Sequence, residues 1–236
     1  MPDLLLPDSR FEQPELLYPG RKPVGNVVVN REHWAGRNCS FATMLRDPIP
    51  VDLVSGVSGV VNIATHKYDT IGPYFDFTGA NDNYVKFDIT EVSNSQVTIV
   101  FRSKFGSAQS FMGIGYSSGD RWAVYNNGWS HYLFHPSSGN FYNQAFEFPT
   151  QWVWNVITID SVNNVSKWYE NGVLLGTSTV SIPPLSSANK LSIGSGSYTA
   201  YPGNHDISDV FVFNSIFSSA EAFSIMNDPY QFLLPT

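Results

Sequence analysis

The segment Val165–Gly176, VSKWYENGVLLG, constrains the fold of this chain more than any other. Asn171 and Gly172 stand between two runs of β-branched, aromatic and aliphatic residues. Because Asn and Gly tolerate the positive φ angles of a type I′ turn, the segment predicts a β-hairpin. Apolar runs of the same kind lie on both sides of it, over residues 152–160, 190–194 and 206–214. The second half of the chain is therefore predicted to be a series of antiparallel strands.

Short strands separated by turn residues are predicted from Val51 onward. The segment 96–103 alternates clearly, with Val97, Ile99 and Phe101 on one face, and Phe75 and Phe77 share a face in 74–78. Regular spacing of this kind indicates a β-sandwich rather than alternating strands and helices.

One helix is predicted near the C-terminus. Ser218 and Glu221 fit a capping box, in which each side chain bonds the backbone of the other residue. An apolar stripe follows, and Pro229 ends the helix; the stripe consists of Ala222, Phe223 and Met226.

Composition excludes several classes of function. The 236 residues carry a net charge of −7 without a Lys/Arg cluster, which argues against nucleic acid as a partner. No apolar run approaches the roughly 20 residues that span a bilayer, so no membrane segment is expected. The first residues lack the pattern of a signal peptide, so we expect synthesis in a reducing cytoplasm. The single cysteine, Cys39, cannot form an intrachain disulfide and is predicted to be a small buried residue.

Residues 1–50 differ from the rest. They hold seven of the 15 prolines and show no helical or strand period. They also carry large apolar side chains that a disordered tail would not usually hold, among them Leu4, Leu5, Leu6, Phe11, Leu16, Leu17 and Tyr18. We predict an extended, Pro-rich anchoring arm over 1–50, laid on its own sandwich, a neighbouring subunit or a larger assembly, and a sandwich domain over 51–236.

Four segments resemble the laminin-G-like, concanavalin A-like sandwich family: the turn Asp52–Gly56, the strand pair Gly72–Val85, the hairpin Trp154–Gly172, and the strand and helix Ile207–Glu221. The resemblance implies an all-β, antiparallel jelly-roll sandwich with an extended N-terminal arm and one short C-terminal helix. These are fold motifs, which specify a scaffold well and a chemistry poorly.

Two further segments, Arg21–Gly25 and Val29–Ala35, resemble the stretch that introduces such sandwiches in virion proteins of tailed bacteriophages. This resemblance implies a non-enzymatic structural protein located in the virion, as a capsid decoration, a head fibre or a tail-associated fibre. Its partners would be capsid or tail proteins of the same virion. A homo-oligomer is expected, and an apolar arm that crosses a subunit boundary favours a trimer.

An alternative function is carbohydrate binding, as an adhesin domain that recognises cell-surface glycans. Aromatic faces stack on sugar rings, and residues 122–142 are rich in aromatic side chains. The candidate carbohydrate-binding residues are Trp122, Tyr125, Trp129, His131, Tyr132 and Tyr142. The competing interpretation is that alternate members of this group fill the core while the others lie at a subunit contact.

Catalysis and metal binding receive weaker support. A polysaccharide-degrading enzyme would need two facing carboxylates, and the E-x-D-x-x-E strand of glucanase relatives is missing. We therefore predict no catalytic residue and no enzyme. Calcium is the one cofactor considered: Asn81 and Asp82 offer ligands, and Asp206 or Asp209 could add a carboxylate, although an Asx turn is the favoured interpretation of Asn81 and Asp82. Asp206 and Asp209 should lie on opposite strand faces unless a bulge intervenes.

Overall fold

A computed structural model describes residues 22–23, 25–78, 83–89, 92–107, 110–117, 120–126, 130–145, 150–194 and 204–236. The predicted arm residues from Leu4 to Tyr18 lie outside this set. The helices are α1 (Trp34–Arg37) and α2 (Ser219–Asn227). The strands are β1 (Val27–Val29), β2 (Cys39–Thr43), β3 (Val60–Asn62), β4 (Thr65–Asp69), β5 (Gly72–Thr78), β6 (Tyr84–Asp88), β7 (Gln96–Ser107), β8 (Ser110–Ser117), β9 (Asp120–Asn126), β10 (Ser130–His135), β11 (Gly139–Ala145), β12 (Val153–Asp160), β13 (Val165–Glu170), β14 (Val173–Ser178), β15 (Lys190–Ile193), β16 (Asn204–Phe213) and β17 (Leu233–Pro235).

Two large antiparallel sheets face each other. The seven-stranded sheet has the order β11-β10-β9-β8-β15-β6-β3. The eight-stranded sheet has the order β14-β13-β12-β7-β16-β5-β4, with β2 paired to one end of β16 as its eighth strand. Their inward side chains form one continuous apolar core, which includes Phe75, Phe77 and the predicted trio Val97, Ile99 and Phe101. The predicted all-β sandwich is confirmed.

The predicted hairpin joins β13 and β14. Asn171 and Gly172 have φ angles of 43° and 88°, the positive values that a type I′ turn requires. Trp154 holds the turn from one side, because its N–H donates to Asn171 Oδ1 and its carbonyl accepts from Asn171 N–H. The Gly172 N–H donates to Met226 Sδ on α2, and a Cβ at Gly172 would lie 3.0 Å from the Phe223 ring. The turn therefore also packs against the helix.

Helix α2 begins as predicted, with both bonds of the capping box between Ser218 and Glu221 present. Its buried residues are Ala222, Ile225 and Met226. Phe223, which we predicted in the apolar stripe, is 57% exposed because it lies one residue, about 100°, round the helix from Ala222. The single turn α1, capped by His33 Nδ1, was not predicted, since one turn carries no period. Neither described helix is long and apolar enough to cross a membrane.

A second apolar core covers the outer face of the eight-stranded sheet. Val100, Trp154 and Phe211 point outward from it and pack against β1, β2, α2 and the C-terminal segment. β1 pairs with β17, and β2 pairs with β16. Residues 25–50 of the predicted arm thus pack on the chain's own sandwich, one of the three surfaces left open by the sequence. The division at residue 50 stays a prediction.

The predicted turn at Asp52 connects this covering segment to the sandwich. Asp52 Oδ1 accepts from the N–H groups of Ala42 and Val54, each at 3.0 Å, and Gly56 has a φ of 75°. The buried carboxylate therefore joins β2 to the turn that leads into β3.

Lys22 holds the beginning of the described chain against the outer face. Its Nζ donates to Ser208 O at 2.8 Å and to Pro73 O at 2.9 Å, and it lies 3.3 Å from Asp209 Oδ1. Both side chains are almost fully buried. Burial lowers the pKa of Lys22, and the carboxylate of Asp209 opposes that change. Several polar contacts thus hold Lys22 against the sandwich.

Candidate functional site

The predicted carbohydrate-binding residues are divided between the interior and the surface. Trp122, His131 and Tyr142 are buried between the sheets. Trp122 Nε1 donates to Pro183 O at 3.0 Å, and the rings of His131 and Tyr142 lie 4.2 and 5.9 Å from that of Trp168. Burial lowers the pKa of His131 to about 4 and raises the pKa of Tyr142. These three residues are core residues, which is the competing interpretation given above, and they are removed from any surface site.

Tyr132 follows the buried His131 on β10 and lies half-buried on the outer face of the seven-stranded sheet, where Phe134 also lies. The Tyr125 side chain and Trp129 lie outside the described residues. The described part of the aromatic region therefore offers Tyr132 as its accessible candidate.

Among the predicted metal ligands, Asn81 and Asp82 also lie outside the described residues. Asp206 and Asp209 share the outer face of the eight-stranded sheet, because the register between β16 and β7 shifts at Ser208. Ile207 and Val210 consequently both face the inner core. Asp209 is occupied by Lys22 and by the Ser208 hydroxyl. Within the described ranges no group of three or more His, Cys, Asp or Glu could hold a metal ion, and the calcium site stays a prediction.

A partly exposed cluster of aromatic and charged side chains lies around Asp206. It occupies the end of the outer face that the second core leaves uncovered, and four strands plus the residue before β12 supply it. We call this cluster the Trp152 patch; its members are Lys67, Asp69, Tyr74, Asp76, Arg102, Lys104, Trp152 and Asp206. The register explains the assembly, since Asp76 and Lys104 are the direct neighbours of Asp206 on β5 and β7, and Tyr74 is opposite Lys67.

The aromatic part of the patch is held in place by several contacts. The Tyr74 and Trp152 rings lie edge to face, with their centroids 5.3 Å apart. Trp152 Nε1 donates to Asp69 Oδ2 at 2.6 Å. The Arg102 guanidinium carbon lies 6.0 Å from the Trp152 ring and 5.7 Å from that of Trp154, within the range of cation–π attraction. Trp152 is therefore oriented while its ring stays partly accessible.

The charged part of the patch contains three acids and three cations. Lys67 bonds Asp76, and Lys104 Nζ lies 3.8 Å from Asp206 Oδ2. Partial burial, together with the nearby Asp76 carboxylate, raises the pKa of Asp206 to about 6, and Lys104 and Lys67 oppose the rise. Burial, Asp206 and Asp69 also raise the pKa of Tyr74. The patch therefore presents hydrogen-bonding groups of both kinds with no net charge at neutral pH.

This arrangement suits a polyhydroxylated, uncharged ligand. Aromatic faces stack on the apolar face of a sugar ring, carboxylates accept from hydroxyl groups, and ammonium groups donate to ring and hydroxyl oxygens. Our sequence reasoning missed the site because its residues come from five separate segments. The local signal was weak: Tyr74 and Trp152 alternate with inward-facing residues, in segments whose apolar pattern indicates core strands.

Comparisons with known proteins identify the fold. No family model matches the chain, and no curated protein sequence matches it. Among solved structures, domain 4 of a GH43 extracellular arabinanase from Geobacillus stearothermophilus, in complex with arabinotriose, superposes with a TM-score of 0.63 and 16% identity. The match covers 80% of this chain and 98% of that domain.

The binding domain of botulinum neurotoxin serotype D gives a TM-score of 0.62 and 12% identity, over 80% of this chain and 51% of that one. A sialidase from Trypanosoma rangeli gives 0.60 and 12%, over 82% and 33%. This chain thus spans about half the length of the neurotoxin domain and a third of the sialidase. At these identities the similarity shows the fold alone, a β-sandwich.

Proposed function

We propose that this protein is a non-enzymatic carbohydrate-binding sandwich and that the Trp152 patch holds the sugar. The observation that carries the proposal is the accessible Tyr74–Trp152 pair, framed by acidic and basic side chains that are already oriented by mutual contacts. The arabinanase domain supports it in a general way, since a sandwich of the same fold was solved with arabinotriose.

The contacts within the patch assign separate tasks to its residues. Trp152 supplies the stacking surface, and Arg102 and Asp69 fix its ring, which lowers the entropy lost on binding. Asp206 is half-buried and would accept bonds from sugar hydroxyls, whereas its neighbour Asp76 is buried and bonds Lys67. Because the acids and cations balance, we propose a neutral glycan rather than a sulfated or sialylated one.

The test is calorimetric titration with neutral oligosaccharides, after a glycan array has selected a ligand. Trp152→Ala should weaken binding at least about tenfold, the usual result of removing a stacking aromatic side chain. Tyr132→Ala is the matched control, since it removes an accessible aromatic residue from the other sheet. Loss of binding in Tyr132→Ala with retention in Trp152→Ala would assign the sugar to the seven-stranded sheet and contradict the proposal.

The same ligand tests the absence of catalysis. Prolonged incubation should leave the oligosaccharide intact in chromatography. Release of shorter sugars that disappears in Asp206→Asn would overturn the non-enzymatic assignment. Asp206 is chosen because burial raises its pKa to about 6.

We further propose, as a second and compatible role, that a tailed-bacteriophage virion displays this sandwich as a capsid decoration, head fibre or tail-associated fibre. The favouring observation is Lys22, whose buried contacts hold the beginning of the described chain on the sandwich. Capsid or tail proteins would be the partners of residues 1–21, and a homo-oligomer stays the expectation.

Deletion of residues 1–21 tests this role and leaves the Lys22 contacts in place. The shortened protein should keep the circular dichroism and melting temperature of the full chain yet fail to enter particles. Normal incorporation would refute attachment through this segment. Point replacement of Leu16 and Leu17 by Ser, with the segment retained, separates loss of apolar contact from loss of length.

A further inference from the structure

The two edges of the sandwich differ. At one edge β11 and β14 meet, and Ser178 Oγ donates to Phe141 O at 2.6 Å across the sheets. At the other edge β3 and β4 end the two sheets, and among the described strands each pairs on one side only. Residues 60–69 therefore form an open edge, with a short turn at Ile63 and Ala64 joining its two strands.

Apolar side chains project from this open edge. Val60, Ile63 and Tyr68 are 64%, 62% and 70% exposed. Natural edge strands are usually blunted by charge, proline or a bulge. β4 does carry Lys67, but its ammonium group bonds Asp76 on the same sheet. An exposed apolar edge of this kind marks an interaction surface.

The backbone at Ile63 reinforces this point. Its φ of 60° lies in the left-handed region, which is unfavourable for a β-branched residue. The Ala64 N–H donates to Asn62 O at 2.7 Å and closes the turn. Glycine or asparagine would relieve the strain, yet the chain has an exposed isoleucine there.

We propose that the open edge binds a second copy of this chain, with β4 antiparallel to the other β4 about a two-fold axis through Tyr68. This register places Lys67 of each copy, which keeps its bond to Asp76, opposite Asp69 of the other, so opposite rather than like charges flank the axis. The two Tyr68 side chains meet at the centre. A register shifted by two residues, with Lys67 on the axis, would place the two lysines opposite each other.

Such a dimer joins the two eight-stranded sheets into one. Both Trp152 patches then lie on the same face of the joined sheet, because Lys67 and Asp69 belong to the patch and to β4 alike. Two sites at fixed spacing would bind a long polysaccharide with an avidity gain. That consequence rests on the proposed function, whereas the dimer itself does not.

Sedimentation of the full chain tests the dimer without any sugar. We expect a concentration-dependent species of twice the 26.3 kDa mass of the chain. Tyr68→Lys should weaken association by at least about tenfold, because it brings two like charges together at the two-fold axis. Val173→Lys is the matched control, since Val173 is 63% exposed on β14 at the opposite edge, and it should leave association unchanged.

Cross-linking tests the register. Opposed Cα atoms in an antiparallel pair are about 4.5–5.5 Å apart, within the range of a disulfide. Tyr68→Cys should therefore form a covalent dimer on mild oxidation, and Val173→Cys should not; Cys39 is buried and gives no background. A monomer at about 100 μM, a trimer unaffected by Tyr68→Lys, or a dimer that Tyr68→Cys does not cross-link would each overturn the proposal. Melting curves check that the variants fold.

Discussion

Replacing Glu170 by glutamine measures the effect of one buried carboxyl group on the stability of the sandwich. Glu170 ends β13 and is only 9% exposed. Among the described residues its Oε2 has no hydrogen-bond partner. Burial raises the pKa of Glu170 to about 7, from an ordinary value of 4.5. The folded chain therefore holds the proton more tightly than the unfolded chain does.

The sign and size of the effect follow from linkage. Below pH 4.5 the group is protonated in both states and contributes no penalty. As the pH rises from 4.5 through 7, the unfolded chain ionises first, so the free energy of unfolding falls. Each pKa unit corresponds to about 1.4 kcal/mol, so ionisation of Glu170 costs the folded state about 3 kcal/mol at pH 9. Glutamine keeps the shape of the side chain and removes this loss.

Urea unfolding at pH 4.5, 7 and 9 provides the assay. Glu170→Gln should be more stable than the parent at pH 9, and the difference should shrink by about 3 kcal/mol towards pH 4.5. Asp47→Asn is the control, because the Asp47 side chain is 62% exposed and its replacement should shift all three values equally. Parallel pH curves for parent and Glu170→Gln, within about 0.5 kcal/mol, would refute the assignment of a raised pKa to burial.

Three further changes probe contacts described above. Lys22→Met leaves Asp209 buried without its cation and should lower the free energy of unfolding by about 3 kcal/mol, and the double variant Lys22→Met/Asp209→Asn should recover part of this loss. Urea titration at pH 7 measures both variants. Equal stability of the single and double variants would contradict the pairing. Gly172→Ala introduces a Cβ at a φ of 88° and against Phe223, so its melting temperature should fall by several degrees, as seen in calorimetry. Ser218→Ala removes the α2 cap and should lower the free energy of unfolding, measured by urea titration, by about 1 kcal/mol. Ser218→Asp should keep most of the parent stability, because aspartate is also a good N-cap.

Features governed by neighbours in sequence were predictable. The hairpin at Asn171 and the capping box at Ser218 depend on a few adjacent residues, and both are confirmed. The alternation of Val97, Ile99 and Phe101 likewise follows from the period of a strand. What the pattern could not give is which elements cover the outer face, because β1 and β2 are placed by partners some 170 to 200 residues away.

The candidate site was not predictable for the same reason. Asp69, Arg102 and Trp152 are distant in sequence, and the register of four strands brings them together. Strict strand alternation would place Asp206 and Asp209 on opposite faces of the sheet, but the bulge at Ser208 places them on the same face. In the aromatic region, alternation predicts that half of the residues face inward but not which half, and the structure places Trp122 and Tyr142 in the core.

The pairing of β1 with β17 also brings the two ends of the described fold together. Thr236 N–H donates to Asn26 O at 3.1 Å, and Val27 lies opposite Pro235. A short linker could therefore join these ends, and new termini could be opened at the exposed Val180, between β14 and β15. Such a circular permutant would keep every strand pair of the described fold. The same sandwich could then be inserted into a surface loop of an unrelated protein.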